Sequence, residues 1–458
     1  MGFFVPSKIW FVYEPNPRFI DQMPTNFPYR FRVLIFLCSL TTLTYLDRVS
    51  ISIVGVRIKA GLGLNNAQFG QVLASFALAY ALFEIPSGAW GDRIGPRAVF
   101  IRIVLWWSLF TALTGLATGL ISLLLIRFLF GMGEAGTMPN CVLVISRWFP
   151  AGETGRALPW MGIGTQIGAA IAPLIIIPIA SRFGWQMPFY VNAAIGLGWV
   201  LICSLWFRNF PSQMRHIPAS ERELIESGSR YRKHQAMLSW KLIFSNRSLL
   251  SLMAMYFCFQ WANYFFVAWM PVYLQEKLHY SEKETGPIIF ILFVVGIFGL
   301  LLGGFCIDWV ARRKGLFFGR RFIGMVGIGL CGLAIFFAAI SERAGISASC
   351  LVAANGFYSF GVMSAFAVCT DIGRNNAGTV SGAMNSCGQL GAFFLALVFG
   401  EIVNKTNRFD TALFVIAAAQ FIGLLFWLMI DPRKQIGSGP DDEIPSGQSP
   451  EAAPGSRA

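Results

Sequence analysis

The sequence predicts an all-α membrane protein of twelve transmembrane helices in two six-helix halves. Three observations predict it: scarce charge, the spacing of apolar runs, and a residue pattern that recurs between the halves. Of 458 residues, 55% are hydrophobic and 13% charged, against about 25% charged in a soluble globular chain. A mean hydropathy of +0.59 leaves too little polar surface to cover a water-facing globule, so lipid is the alternative solvent. Phe (43) and Trp (14) are abundant, as suits lipid-facing packing and interfacial belts.

A spanning helix needs about 20 mostly apolar residues. Twelve segments qualify, near 33–56, 67–90, 98–117, 120–143, 157–180, 187–207, 249–272, 286–309, 322–340, 346–369, 377–400 and 408–430. The longest polar interruption, 208–247, is expected as a cytoplasmic central loop. It separates an N-terminal half, 29–207, from a C-terminal half, 248–430. Residues 1–28 are expected as a cytoplasmic N-terminal segment. The tail 431–458, rich in Gly, Ser, Pro and Glu, is expected to be disordered.

Residues 1–28 show no secretory signal pattern, and Pro6 stands where a myristoylation signal needs Ser or Thr. The stretch starting at Met23 reads like a native start, so residues 1–22 are expected to be absent from the native chain. N-terminal mass spectrometry that detects residues 1–22 rejects this.

Charge predicts orientation. The loops after the even-numbered segments hold Arg93, Arg97, Arg147, Arg156, a central cluster from Arg208 to Arg247, Arg312, Arg313, Lys314, Arg320, Arg321 and Arg374. The alternate loops hold fewer basic residues, among them Arg57, Lys59, Lys277 and Arg408. The richer set is expected on the cytoplasmic side, with both termini there too. The expected setting is the plasma membrane, of the bacterial inner-membrane kind. The same reasoning disposes of nucleic acid as the reason for a net charge of +13: the basic residues lie in short loops, not on one face or tail.

Several chemistries are disfavoured. The nine Cys form no CxxC pair and sit in apolar runs, the pattern of small buried hydrophobes rather than a disulfide framework or zinc site. His216, His234 and His279 fall in loops. Gly131, Gly133 and Gly136 match GxGxxG inside an apolar helix with no preceding strand, so close helix packing explains them better than a dinucleotide. No P-loop appears. A metal, a nucleotide and an organic cofactor are all unexpected, and the chain is not expected to be an enzyme. A monomer is the expected state.

The repeats support two halves. Gly88-Ala-Trp-Gly91-Asp92-Arg93-Ile-Gly95-Pro-Arg97 follows the second segment, and Gly304 to Arg313 follows the eighth, each with Asp four residues after Gly. Gly155, Gln166 and Gly168 reappear at one offset as Gly378, Gln389 and Gly391.

Charge inside the bilayer is the sharpest functional signal, because one such residue costs roughly 2.5–3.5 kcal/mol unless it pairs or faces water. The candidates are Asp47, Arg48, Glu84, Arg102, Arg127, Glu134 and Asp371. At about 1.5 Å per residue, Asp47, Arg48 and Arg127 fall in one layer. Tyr80, Glu134 and Gln166 fall in a second, nearer the cytoplasm. From the other half, Asn263 falls near the first, Asn385 near the second and Gln389 between them. Arg127 and Glu134 share a helix face but stand about 10.5 Å apart along it, so each needs another partner, and Asp47 is the candidate for Arg127. These charges read either as structural ion pairs or as a substrate and proton site.

The second reading implies a form of coupling. Burial disfavours a carboxylate's charged form, and an incoming anion disfavours it further. Anion and proton then favour each other's binding, reciprocally, which is symport. A cationic substrate competes with the proton instead. Arg48 and Arg127 favour an anion, held by bidentate contact with a carboxylate.

Gly88 to Arg97 resembles the cytoplasmic loop signature of the major facilitator superfamily. Tyr45-Leu-Asp47-Arg48, Tyr80 with Glu84-Ile-Pro-Ser-Gly88, Arg127 with Glu134, and residues 378–391 resemble the anion:cation symporter family, over roughly residues 25–432. The resemblance implies the major facilitator fold and alternating access. Asp47 and Glu134 then match proton-handling carboxylates, and Arg48 and Arg127 a basic pair with Arg127 as the carboxylate clamp. Tyr45, Tyr80, Gln166 and Asn385 match cavity residues for a polyol anion, and Gly88, Gly91, Asp92, Arg93, Gly95 and Arg97 a cytoplasmic gating motif. Cys369-Thr-Asp371 departs from the pattern, and the role of Asp371 stays open.

The expected function is therefore proton-coupled symport of a small organic anion, a sugar acid of the galactonate, hexuronate or glucarate type first. An aromatic carboxylate or phosphate is the alternative. A non-transporting nutrient receptor comes third, since the loop and tail are short.

Overall fold

In the computed structural model, residues 27–214, 216–228, 246–373 and 377–433 are described. The proposed late start, Arg215 and residues 229–245 of the basic central loop, Arg374 and the tail after Arg433 lie outside them.

The first half contains α1 (Tyr29–Ile53), α2 (Gly55–Leu62), α3 (Asn66–Ile94), α4 (Pro96–Thr114), α5 (Leu120–Glu134), α6 (Thr137–Trp148), α7 (Ala151–Phe183) and α8 (Met187–Trp206). A connecting helix α9 (Ala219–Gly228) follows. The second half contains α10 (Arg247–Tyr264), a π-helical turn (Phe265–Trp269), α11 (Met270–Glu276), α12 (Glu282–Lys314), α13 (Leu316–Ile340), α14 (Ala344–Gly373), α15 (Ala377–Thr406) and α16 (Phe409–Leu428). Twelve stretches are long and apolar enough to cross a membrane. Two are composite: the fourth is α5 with α6, and the seventh runs from α10 through the π turn to α11.

Two capping boxes start helices on the predicted outer face. Asn65 accepts from the Gln68 amide at 2.8 Å, and Gln68 accepts from the Asn65 amide at 3.0 Å. Ser281 and Glu284 repeat the exchange at 3.3 and 2.9 Å. Each satisfies amides that a helix start leaves open.

The repeat read from sequence appears as a repeat of packing. Gly168 of α7 lies against the backbone of Thr42 in α1, and Gly391 of α15 lies against the backbone of Phe257 in α10. Gly70 of α3 packs on Ala396 and Gly400 of α15, while Gly286 of α12 packs on Pro173 and Ile177 of α7. The latter two contacts join the halves near the predicted outer face, where a larger side chain would hold the helices apart.

Charges close the same face. Arg57 of α2 clamps Glu282 of α12 through two bonds of 2.6 Å and donates to the Ala180 carbonyl at 2.9 Å. Lys59 pairs with Glu276 of α11 and reaches Asn66 at 2.5 Å. Burial pushes the Lys59 ammonium down from its ordinary range, against the pull of the Glu276 carboxylate. An open depression of about 480 Å³ lined by Lys59, Asn66, Glu276 and Asn404 sits on this face, away from the mid-membrane charges. Among the described residues, no ion pair joins the halves at the opposite face.

At the predicted cytoplasmic face, α9 belongs to the first half. Its Ile225 is fully buried in the apolar core of the first half. Glu221 accepts from the amides of Tyr29 and Arg30 at 3.0 and 3.1 Å. A residue 192 positions away thus caps the start of α1, whose own N-cap, Pro28, supplies no side-chain acceptor. Asp371 also finds its place here. It accepts from Arg320 Nε at 2.9 Å, and Arg320 reaches Asp308 at 3.9 Å, so α12, α13 and α14 are pinned together at that end.

Candidate functional site

Five buried charges meet in the middle of the first half. Asp47 and Arg48 come from α1, Glu84 from α3, and Arg127 and Glu134 from α5, none more than 8% exposed.

Arg48 donates to Glu134 Oε1 from Nε at 3.1 Å and again from Nη2. Its guanidinium lies 4.9–5.0 Å from the ring centres of Tyr45, Phe76 and Tyr80. Three aromatic faces and one carboxylate thus replace its water shell. The depth reckoning had set Arg48 and Glu134 in different layers. The structure brings them together because an extended Arg side chain crosses the gap, which a count along helix axes ignores.

Glu134 is delivered by a break in the fourth span. The helix stops at Glu134, and Gly136 adopts φ +94°, a region L-residues with a Cβ avoid. The freed carbonyls are recaptured: Thr137 Oγ1 donates to the Glu134 carbonyl at 2.7 Å, and Asn140 Nδ2 to the Gly136 carbonyl at 2.8 Å. Sequence reading had treated 120–143 as one helix. Gly136 was the available signal, masked by its place in a run of glycines that serve packing. Gly131 and Gly133 do serve packing, against Phe76 and Trp106.

Arg127 differs from Arg48. It is 2% exposed and rests on Phe130 at 4.3 Å and Phe76 at 5.2 Å. Among the described residues it makes no ion pair, and its Nε has no hydrogen-bond partner. The expected Asp47–Arg127 pair therefore does not form. The two charges feel each other, but Asp47 Oδ1 and Glu134 Oε2 remain without partners. Helix-face arithmetic had assigned Arg127 a partner by level alone, whereas side-chain reach and direction decide contact.

Around these charges the halves touch through three polar contacts. Gln166 of α7 donates to Ser359 of α14 at 2.9 Å. Asn385 of α15 donates to Glu84 Oε1 at 2.5 Å. Tyr264 donates to the Leu73 carbonyl at 2.7 Å. Gln389 is 5% exposed, and its neighbour Gly388 packs on Tyr256 and Gln260 of α10. Asn263 lies half-buried just before the π turn. Ser359, and the pair in which Tyr358 donates to Gln260 at 2.6 Å, escaped the sequence reading. A single Ser, Tyr or Gln in an apolar helix is weakly marked by cost alone, because one hydrogen bond satisfies it.

The predicted gating motif forms a fastened turn. Gly91 packs on Asn140, Gly95 adopts φ +90°, and the Arg97 amide donates to Asn209 at 2.9 Å. Gly88 faces Pro139, and Arg93 is exposed.

A family description, Major Facilitator Superfamily, matches residues 37–396. The chain belongs to the major facilitator superfamily. Curated relatives of this major facilitator include a probable sulfoacetate transporter of Cupriavidus necator, 29% identical over 90% of this chain and 96% of that one. The hexuronate transporter of Bacillus subtilis is 30% identical over 83% and 89%. A probable L-galactonate transporter of Escherichia coli is 27% identical over 88% and 90%. Among solved structures, an inward-facing bacterial homolog of the lysosomal transporter Spinster superposes with a TM-score of 0.68 at 22% identity, over 89% and 98% of the chains. That likeness speaks for the fold. The protein is thus a multi-pass membrane transporter rather than an enzyme.

Proposed function

We propose that this major facilitator carries a small organic anion, a sugar acid first, together with protons by alternating access. The observation that carries the reading is Arg127: a guanidinium buried at mid-membrane, stacked on Phe130 and Phe76 and without an ion-pair partner. Leaving a charge so placed costs several kcal/mol, and a substrate carboxylate offsets that cost by bidentate contact. Asp47 and Glu134 are the proton carriers of this reading, each with an oxygen that lacks a partner. Tyr45, Tyr80, Gln166, Asn263, Asn385 and Gln389 supply the polar wall for hydroxyls.

The relatives named for hexuronate and L-galactonate support the substrate class. The charge bias of the loops supports both termini in the cytoplasm. The closed predicted outer face, with Arg57 and Lys59 bridging the halves, suits a carrier poised to exchange with the cytoplasm.

Uptake by proteoliposomes tests this. Labelled glucuronate, galactonate, glucarate, sulfoacetate, an aromatic acid and phosphate are offered with and without an inward proton gradient. Gradient-stimulated uptake of a sugar acid, abolished by Arg127→Ala and uncoupled by Asp47→Asn or Glu134→Gln, is expected. Uptake indifferent to the gradient would sink proton symport.

A further inference from the structure

We propose that Glu84 is a third proton-carrying group of the transport cycle, whose ionised form ties the two halves through Asn385. The inference rests on the proton-coupled reading above and assigns a role to a residue outside its substrate and coupling set.

Geometry comes first. Glu84 is 1% exposed on α3. One carboxylate oxygen, Oε1, accepts from Asn385 of the other half at 2.5 Å. The other, Oε2, is buried and has no hydrogen-bond partner. Beside it, Ser386 Oγ is buried with no other partner, so its hydroxyl is the one further donor α15 offers this carboxylate. A buried carboxylate served by one amide and one loosely placed hydroxyl is costly to keep ionised, and a proton relieves that cost.

Charge counting gives the second line. Asp47, Glu84 and Glu134 are three carboxylates against two guanidiniums, Arg48 and Arg127, all buried. Fully ionised, the cluster carries one negative charge in excess, and an arriving anion adds another. Arg48 is paired with Glu134, so Glu84 shares the field of that guanidinium without an ion pair of its own. The titratable and charged groups facing Glu84 are Arg48 from α1, Tyr80 from its own helix and Tyr256 from α10. The packed helix α15 offers only the neutral Asn385 and Ser386. From α4, Arg102 turns instead to Ser87 at 2.8 Å and to the Trp90 ring. From α5, Arg127 and Glu134 face Asp47 and Arg48.

The consequence is mechanical as well as electrostatic. A hydrogen bond to an ionised acceptor is roughly twice as strong as one to a neutral acceptor. Ionised Glu84 therefore holds Asn385 firmly, and α3 against α15. A proton taken from water on the side where the anion enters weakens that tie as the anion arrives. The same proton returns to water on the other side.

The test compares wild type with Glu84→Gln in proteoliposomes. The membrane potential that nulls net labelled-glucuronate flux is measured at fixed pH and anion gradients, which yields protons per anion. Counterflow of labelled against unlabelled glucuronate reports whether the variant is folded and binding. Glu84→Gln is expected to carry one proton fewer per anion. An unchanged count in a variant that still exchanges overturns the role. If Glu84→Gln is not recovered folded, Glu84→Asp decides: it draws the carboxyl back from Asn385 and is expected to shift the pH profile of uptake, and an unshifted profile overturns the role. Absence of glucuronate counterflow in wild type counts against the carrier reading itself.

Discussion

Arg48 and Arg127 are the same residue type at similar depth, yet their surroundings give them different work. Arg48 neutralises Glu134, and removing it leaves that carboxylate buried alone. Arg48→Ala is expected to lower stability by about 3–5 kcal/mol, read as a large fall in the thermal unfolding midpoint in detergent. Adding Glu134→Gln to it should restore much of the loss. Arg127 has no carboxylate to abandon, so Arg127→Lys is expected to fold normally. Its single ammonium lacks the fork that grips a carboxylate, and uptake should fall by about tenfold or more, the loss of one charge-assisted bond at 1.5–3 kcal/mol. Wild-type uptake by Arg127→Lys would remove the clamp role.

At the scale of elements, two devices carry the site. The break between α5 and α6 places Glu134 at a helix end and needs the positive φ of Gly136. The other device is α9, which sits beneath the first half and lends Glu221 to the start of α1, the helix that bears Asp47 and Arg48. Glu221 is 4% exposed and accepts from two amides and from Arg30 Nη1 at 3.4 Å. Glu221→Ala is expected to cost about 1–2 kcal/mol, as for loss of a helix cap, measured by thermal unfolding. A midpoint equal to wild type would show that water caps α1 equally well. The central loop read as a plain separator in the sequence. Its buried Ile225 and Glu221 become visible only once the surface that receives them exists.

For the whole molecule, the question is what holds the predicted outer face shut. Glycine contacts between α3 and α15, and between α12 and α7, provide close packing, and the Arg57–Glu282 clamp adds charge. Arg57 and Glu282 are 33% and 29% exposed, so the clamp contributes about 1 kcal/mol or less after screening by solvent. Arg57→Ala is thus expected to shift the closed-to-open ratio by no more than about fivefold. Spin-label distances between the outer ends of α3 and α12 read this, and a complete opening would mean that packing contributes little. Tyr264, Gln166 and Glu84 link the halves deeper in, where water is scarcer.

Much of this was legible in the amino-acid sequence because the physics involved is local. Apolar length marks a spanning helix by itself, so all twelve spans were found near their observed positions. The Gly-Gln-Gly recurrence signalled the repeat because both halves solve the same packing problem, as Gly168 and Gly391 show. Asp47, Arg48, Glu84, Arg127 and Glu134 stood out because charge in lipid is costly wherever it occurs. Partnership was not legible. That Glu134 takes Arg48, that Arg127 has no carboxylate of its own, that Glu84 meets Asn385 301 positions away, and that Asp371 meets Arg320 depend on side-chain reach across helices. The single-residue spacing along a helix says nothing about which neighbour it faces. The sequence determined which groups are buried and charged; only the tertiary structure decided which of them are satisfied, and the unsatisfied ones are where an anion and its protons have reason to bind.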